Sequence, residues 1–366
     1  MGWRQQDVCS LFFEAMRGFN AAVVLNDQPD VPADIVNRLE RSIQHAYASF
    51  DQLIDRGIGH WMIMYSGGKD STTTLLLALE YALLHPGRVN KIEVVFADTQ
   101  VEIPTLYTYA IDFLEFLKSH PAKPVVHLVK PPVQKTFWTL LIGRGYPAPH
   151  QKFRWCTDKL KIQPAEVIIK NITKESDIAI ITGVRFGESD VRDRRMNLSC
   201  SRGGECGQGM WFDHSARLNA LYAAPIASWR ECDVWDYVNF YGPAMGYPTA
   251  ELQDIYQGHN TRFGCWTCTV VKTDKTMKKI TEKEDGKGLL PMFEFRNWLL
   301  EYSKDHENRM FRPNGVPGRL SLKARKEIYK RLVQVEKDTG IHILSNDESI
   351  EINKCWNNPR YTAPYQ

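Results

Sequence analysis

Seven consecutive residues, Tyr65-Ser66-Gly67-Gly68-Lys69-Asp70-Ser71, bring together the groups that hold a polyphosphate. Paired glycines let the backbone turn tightly and aim amides at a ligand, and a helix starting here adds the positive end of its dipole. Lys69 supplies a mobile cation, and Ser66 and Ser71 supply hydroxyls. A second chemical group is the thiol of Cys156. It lies within Lys152-Phe153-Arg154-Trp155-Cys156-Thr157-Asp158-Lys159-Leu160-Lys161, where four cations fall in ten residues. Positive charge lowers a thiol pKa, so Cys156 reads as a sulfur carrier or active-site thiol, with Arg154, Lys159 and Lys161 as anion contacts. A third set is Cys265-Trp266-Thr267-Cys268 with Cys200 and Cys206. Two cysteines separated by two residues can face one metal centre, and a second pair completes four thiolates. Zn²⁺ and a [4Fe–4S] cluster both accept that set. The five residues between Cys200 and Cys206 exceed the common zinc spacing and favour the cluster.

These residues need a frame. Short β-rich runs at 61–65, 92–97, 125–128 and 178–182 alternate with helical segments at 72–84, 103–118 and 163–173. That alternation predicts an α/β fold, a mostly parallel sheet covered by helices on both faces. Ligands in such sheets sit beyond the C-terminal strand ends. The glycine loop, Asp98-Thr99 and Gly183-Val184-Arg185 all follow predicted strands. Ahead of the sheet, 1–58 reads as a helical N-terminal cap, with Ile35, Leu39, Ile43, Tyr47 and Leu53 at helical spacing. The expected division is 1–58, a nucleotide domain over 59–198, a Cys-rich and basic region over 199–288, and a helical C-terminal region over 289–366. A short helix at 229–237 is expected with Ser228 as its cap, and further helices near 294–302 and 322–339.

The loop lacks the usual phosphate-loop spacing and the dinucleotide fingerprint. The segment SGGKDS instead resembles the PP-loop of the ATP pyrophosphatase family, whose members split ATP between the α and β phosphates. That resemblance implies an adenine nucleotide alpha hydrolase-like, Rossmann-like sheet. It implies that Ser66, Gly67, Gly68, Lys69 and Ser71 hold the pyrophosphate, with Asp70 orienting the loop or a metal. Asp98-Thr99-Gln100-Val101-Glu102-Ile103-Pro104-Thr105 resembles the second motif of the phosphosulfate-reductase branch, with Gln100 where that branch usually has Gly. Asp98 would hold Mg²⁺ or the nucleotide sugar, or else cap the next helix. The segment 180–189, with Gly183 and Arg185, resembles the branch's later Gly-x-Arg motif. Arg185 would face phosphate, since guanidinium suits bidentate oxyanion contact. The Cys156 segment, with Arg154, resembles the branch's basic cysteine motif.

A closer resemblance covers most of 60–335. Arg262-Phe263-Gly264-Cys265-Trp266-Thr267-Cys268-Thr269-Val270-Val271 is similar to the cysteine motif of the DndC-type sulfurtransferases of bacterial DNA phosphorothioation, whose catalytic core the related SspD branch shares. It implies ATP and Mg²⁺ as cofactors and a [4Fe–4S] cluster on Cys200, Cys206, Cys265 and Cys268. The implied partners are DNA, a cysteine desulfurase as sulfur donor and other phosphorothioation subunits; oligomeric state stays open. Cys156, Lys69, Asp70 and Arg185 are the expected catalytic residues. DNA contact falls on Arg185, Arg192, Arg194, Arg195 and Arg202, or on Lys272, Lys275, Lys278, Lys279 and Lys283, each equally readable as a solvated face. Trp211, Trp229, Trp235 and Trp266 read as core before they read as base-stacking residues. Competing expectations are a phosphoadenylylsulfate or adenylylsulfate reductase, a tRNA thiolation enzyme, and a nucleotide-sensing subunit without turnover.

Bulk properties bound these readings. A net charge of +3 is too small to argue for nucleic acid by itself. No apolar run approaches the ~20 residues of a membrane span, and the first ten residues do not form a signal peptide. The cytoplasm is the expected compartment, where eight cysteines point to metal or redox chemistry rather than a disulfide scaffold.

Overall fold

The computed structural model describes residues 31–174, 176–187, 218, 220–256 and 264–365, with the backbone alone at 206–207 and 210–215. The chain forms two compact units: Met1–Phe96, Thr105–Leu128 and Glu166–His259 in the first, and Ala97–Pro104, Val129–Ala165 and Asn260–Gln366 in the second.

The first unit is built on a seven-stranded sheet. Its strands are β1 (His60–Tyr65), β2 (Lys91–Ala97), β3 (Val125–Val129), β4 (Ile178–Thr182), β5 (Cys206–Gly207), β6 (Met210–Ser215) and β7 (Ala220–Ala223), ordered β3-β2-β1-β4-β7-β6-β5. β1 runs parallel to β2 and β4, and β4 parallel to β7. β6 and β5 return antiparallel at one edge. This is the expected Rossmann-like α/β sheet, with one difference. The sheet continues past 199, where the sequence suggests only a Cys-rich region. The strand Ala220–Ala223 escapes notice because it is four residues long and carries two alanines and no β-branched residue.

Register fixes which loops emerge together. Tyr65 pairs with Phe96, Met64 with Thr182, and Ile181 with Ala223, so parallel strands end along one edge. From β1 the chain moves outward to β2 and β3, then returns to place β4 on the other side of β1. The loops after β1 and β4 therefore flank the point where strand order reverses, the usual ligand position in open α/β sheets.

Helices pack along the sheet. α1 (Ala33–Asp55) buries Leu39, Ile43, Phe50 and Leu53, and Phe50 stacks on Trp61 of β1 at 4.9 Å between centroids. α2 (Lys69–Leu84) is buried through Tyr81 on almost every side, as expected of a helix with an unbroken apolar run. α3 (Pro104–Leu117) places Phe113 against Tyr65 at 5.4 Å, and α4 (Gln163–Ile172) leads into β4. α5 (Glu231–Asp236) starts at Arg230, whose backbone N–H donates to Asp233, so Ser228 is not its cap. A π-helical turn (Tyr237–Tyr241) continues it, and α6 (Ala250–Tyr256) follows.

In the second unit, π-helical turns at Thr139–Gly143 and Thr157–Ile162 precede α7 (Lys275–Glu282) and α8 (Leu290–Tyr302). A hairpin, β8 (Arg309–Phe311) and β9 (Pro317–Leu320), leads to α9 (Leu322–Thr339) and α10 (Asn346–Trp356). Trp138, Trp266 and Phe295 form the aromatic core. No helix among the described residues is long and apolar enough to cross a membrane.

Candidate active site

In the first unit the glycine loop joins β1 to α2. Gly67 takes φ +76°, where a side chain is strained, and a Cβ on it would also meet Ala110 at 2.8 Å. Among the described residues, the amides of Gly67 and Gly68 donate to no protein acceptor. The serines set the loop's inner shape. Ser71 Oγ donates to Gly68 O at 2.9 Å and lies 3.0 Å from Ser66 Oγ, while Ser66 N donates to Ser71 Oγ at 3.2 Å. Gly183, just after β4, packs on the start of α2: a Cβ there would stand 2.7 Å from the carbonyl carbon and oxygen of Asp70.

Two buried cations meet at this loop. Lys69 is 6% exposed and Arg185 is 5% exposed, so each must be compensated. Asp70 serves both: Oδ2 lies 3.1 Å from Lys69 Nζ, and Oδ1 accepts from Arg185 Nε. Glu231 adds a second carboxylate 3.3 Å from Lys69 Nζ, and Arg185 also donates to Trp229 O at 3.4 Å. The Lys69 ammonium stands 5.7 Å from the Trp235 ring centroid and 5.2 Å from that of Tyr256. Tyr256 also accepts from Lys69 N at 3.3 Å. Two buried cations thus share carboxylate partners at the head of the glycine loop.

The second unit gathers the thiols. Cys156 begins the π-helical turn that carries Lys161. Burial pushes the Cys156 thiol pKa up and the charge of Cys268 adds to it; bonds from Thr157 and the Lys161 cation pull the other way without prevailing. This reverses the expectation that the basic window favours the thiolate. Lys152 and Arg154 are solvent-exposed, and Lys159 pairs with Asp158 at 3.0 Å. Desolvation pulls the Lys161 ammonium down, but Cys265, Glu102, Cys156 and Cys268 together hold its pKa above the usual value. Burial likewise raises the Cys265 thiol to about 12.

Asp98, Thr99 and Glu102 belong to this unit and are tied to the cysteine turn. Asp98 is 1% exposed; it accepts from Gln100 N at 2.9 Å and pairs with Lys130 Nζ at 3.1 Å. Gln100 takes φ +64°, a left-handed conformation that favours glycine. Glu102 accepts from the Thr99 hydroxyl, from Thr99 N at 3.1 Å and from Val101 N at 3.2 Å. Its backbone bridges to Cys265, and Trp266 N donates to Val101 O at 3.0 Å. Thr99 Oγ1 lies 3.6 Å from Cys265 Sγ. Cys268 N closes the turn on Cys265 O at 3.0 Å, and the fully buried Arg296 donates to Cys268 O at 2.7 Å, Lys272 O at 3.1 Å and Val271 O.

Ser66, Gly67, Gly68, Lys69, Asp70, Ser71, Gly183 and Arg185 thus meet in the first unit, while Asp98, Arg154, Cys156, Cys265 and Cys268 belong to the second. Cys200, Arg192, Arg194, Arg195 and Arg202 lie outside the described residues, and Cys206 is described by its backbone alone. Among the described residues, no group of three or more His, Cys, Asp or Glu converges as a metal site. Trp229 and Trp266 are core residues, 3% and 2% exposed. Glu231, Trp235 and Tyr256 are the loop partners that motif reading misses. Glu231 and Trp235 stand four apart on α5, a spacing that marks one helix face, whereas Tyr256 carries no local signal.

Residues 60–271, more than half of the chain, match the phosphoadenosine phosphosulfate reductase domain family. The uncharacterized protein MJ0066 of Methanocaldococcus jannaschii is 26% identical over 245 residues, 67% of this chain and 42% of that protein. The chain therefore spans less than half the length of this curated relative. Among solved structures, phosphoadenylyl-sulfate reductase from Candida auris in a phosphate complex is similar at 14% identity and TM-score 0.37, covering 73% of this chain and 97% of that one. FMN adenylyltransferase of Candida glabrata with FAD and inorganic pyrophosphate gives 16% identity and TM-score 0.38 over 65% of this chain and 66% of that one. With both scores under 0.5, the fold assignment rests on the family match and on the sheet itself.

Proposed function

Since this chain belongs to the phosphoadenosine phosphosulfate reductase domain family, we propose that it is an ATP-dependent sulfurtransferase of DNA phosphorothioate modification, as the DndC-type resemblance of 262–271 implies. The observation that carries this reading is the sharing of one electrostatic neighbourhood by Cys156, Cys265, Cys268 and Lys161. A sulfur-carrying thiol beside a Cys-x-x-Cys turn suits sulfur transfer.

In this account the ATP phosphates take over the cations that Asp70 and Glu231 hold. The amides of Gly67 and Gly68, which donate to no protein acceptor among the described residues, and the hydroxyls of Ser66 and Ser71 receive the phosphate oxygens. Lys69 and Arg185 stabilise charge building on the departing pyrophosphate. A non-bridging oxygen of a DNA phosphodiester attacks the α-phosphorus, and AMP becomes joined to the DNA phosphate as pyrophosphate leaves. The terminal sulfur of a Cys156 persulfide, loaded by a cysteine desulfurase, then attacks the DNA phosphorus. A P–S bond forms, and the P–O bond to AMP breaks. An external thiol reductant cleaves the S–S bond, leaving sulfur on phosphorus.

Asp70, Asp98 and Glu231 already pair with cations. Mg²⁺ brought in with the nucleotide would neutralise phosphate charge there. The thiols of Cys265 and Cys268 suit a soft metal centre, and a [4Fe–4S] cluster on Cys200, Cys206, Cys265 and Cys268 would supply redox or sulfur-binding chemistry. The test is pyrophosphate release from ATP by anaerobically purified protein, with DNA and a persulfide-loaded desulfurase added separately and together. Release is expected to rise only when DNA is present.

A second reading, reduction of phosphoadenylylsulfate or adenylylsulfate, draws support from the matched family itself. Robust sulfite formation from either compound, without DNA, would replace the first reading by this one.

A further inference from the structure

Helix α9 carries a lysine stripe that the nucleotide and thiol chemistry does not use. Lys323, Lys326, Lys330 and Lys337 stand at i, i+3, i+7 and i+14, spacings that fall on one side of a helix of 3.6 residues per turn. Gln334 is the other residue of that stripe. All four lysines are exposed, and Lys326 lies over the Trp356 ring at 5.7 Å. The opposite side of the helix packs inward through Ala324, Ile328, Leu332 and Val335.

The acids of the same helix are committed elsewhere. Glu327 accepts from Arg331 at 2.8 Å, and Asp338 accepts from Gln334 at 2.7 Å. Glu336 accepts from the amides of Ile343 and Leu344 and lies 3.3 Å from His342. Among the described residues none of the four lysines makes an ion pair; of Lys275, Lys278, Lys279 and Lys283, Lys278 alone does, with Glu282 at 3.9 Å. Glu327 and Asp338 border this stripe, but each is already hydrogen-bonded to Arg331 or Gln334, so the four lysines keep their ammonium groups available over four turns.

We infer that this stripe binds the phosphodiester backbone of duplex DNA. Lys323 to Lys337 spans about 21 Å, the axial rise of about six base pairs, so each ammonium can meet a different phosphate. Lysine acts as a point charge for phosphate and reads no base, so the contact holds DNA without selecting sequence. The choice of DNA among polyanions rests on the function proposed above.

The test uses the full-length protein and a fluorescent mixed-sequence duplex, with anisotropy measured across a salt series. The variant carries Lys323→Gln, Lys326→Gln, Lys330→Gln and Lys337→Gln, and its melting curve checks that it folds. A matched variant changes Lys275, Lys278, Lys279 and Lys283 to Gln. The stripe variant is expected to lose roughly tenfold or more in affinity, with the slope of log K against log salt reduced by about 3 to 4. The matched variant is expected to lose less. A stripe variant with wild-type slope would overturn the stripe while leaving DNA as substrate. A wild-type protein without salt-dependent DNA binding would overturn both, and tighter binding of an RNA duplex would overturn DNA as the occupant.

Discussion

Gly183 lies against the backbone of Asp70 so closely that a methyl group in its place would stand 2.7 Å from the Asp70 carbonyl. The end of β4 thereby sets the position of the first turn of α2. Gly183→Ala must push that turn aside, losing about 1–3 kcal/mol of stability. Pyrophosphate affinity should fall with it. Gly288→Ala, where a Cβ meets nothing within 4 Å, is the control. Thermal melts with and without pyrophosphate decide the point: equal behaviour of the two variants would contradict this role.

Asp70 compensates two buried cations at once. Asp70→Asn removes the carboxylate that Lys69 and Arg185 share, and should lose roughly 3 kcal/mol in the absence of ligand. Pyrophosphate supplies the missing charge. It should therefore raise the melting temperature of the variant more than that of the wild type, and an equal or smaller rise would refute the exchange of carboxylate for phosphate.

Glu80 gives a pH-dependent prediction. Its carboxyl is buried on α2 and accepts from Tyr47 at 3.0 Å, Tyr237 at 2.9 Å and Tyr241 at 3.3 Å. Burial raises its pKa to about 7, against the pull of the tyrosine bonds. The unfolded chain releases this proton near the ordinary value of 4.5. Between the two values the folded state binds more protons, so this contribution is full at low pH and falls by up to about 3 kcal/mol as pH rises to 7. Glu80→Gln removes the dependence. Urea midpoints at pH 5 and pH 8 should differ less in the variant; an unchanged difference would rule out Glu80 as the cause.

Gln100 holds a left-handed conformation without being glycine. Gln100→Gly should stabilise the protein by about 1 kcal/mol, less the flexibility glycine gives the unfolded chain. Chemical denaturation measures it, and a clear loss would mean that the Gln100 side chain matters more than its backbone.

What the sequence made legible follows from local chemistry. Gly67 and Gly68 between a strand and an apolar helix mark the loop, and β1, β2, β3 and β4 fall within a residue of the expected runs. Long-range packing was not legible. Tyr256 reaches the loop from far along the chain, and β7 lacks the residues that advertise a strand. The Cys156 window misled because charge density in sequence says nothing about burial: the thiol is desolvated while Arg154 is exposed.

The central claim is that sulfur ends on DNA phosphorus. The direct measurement is mass spectrometry of nuclease-digested DNA after reaction with ATP, Mg²⁺, a persulfide-loaded desulfurase, a thiol reductant and any partner subunits required. Wild-type protein should yield phosphorothioate dinucleotides in step with AMP, and Cys156→Ala should yield none while still binding ATP. Turnover of ATP with sulfur delivered to Cys156, yet no phosphorus–sulfur bond in the DNA, would contradict the account.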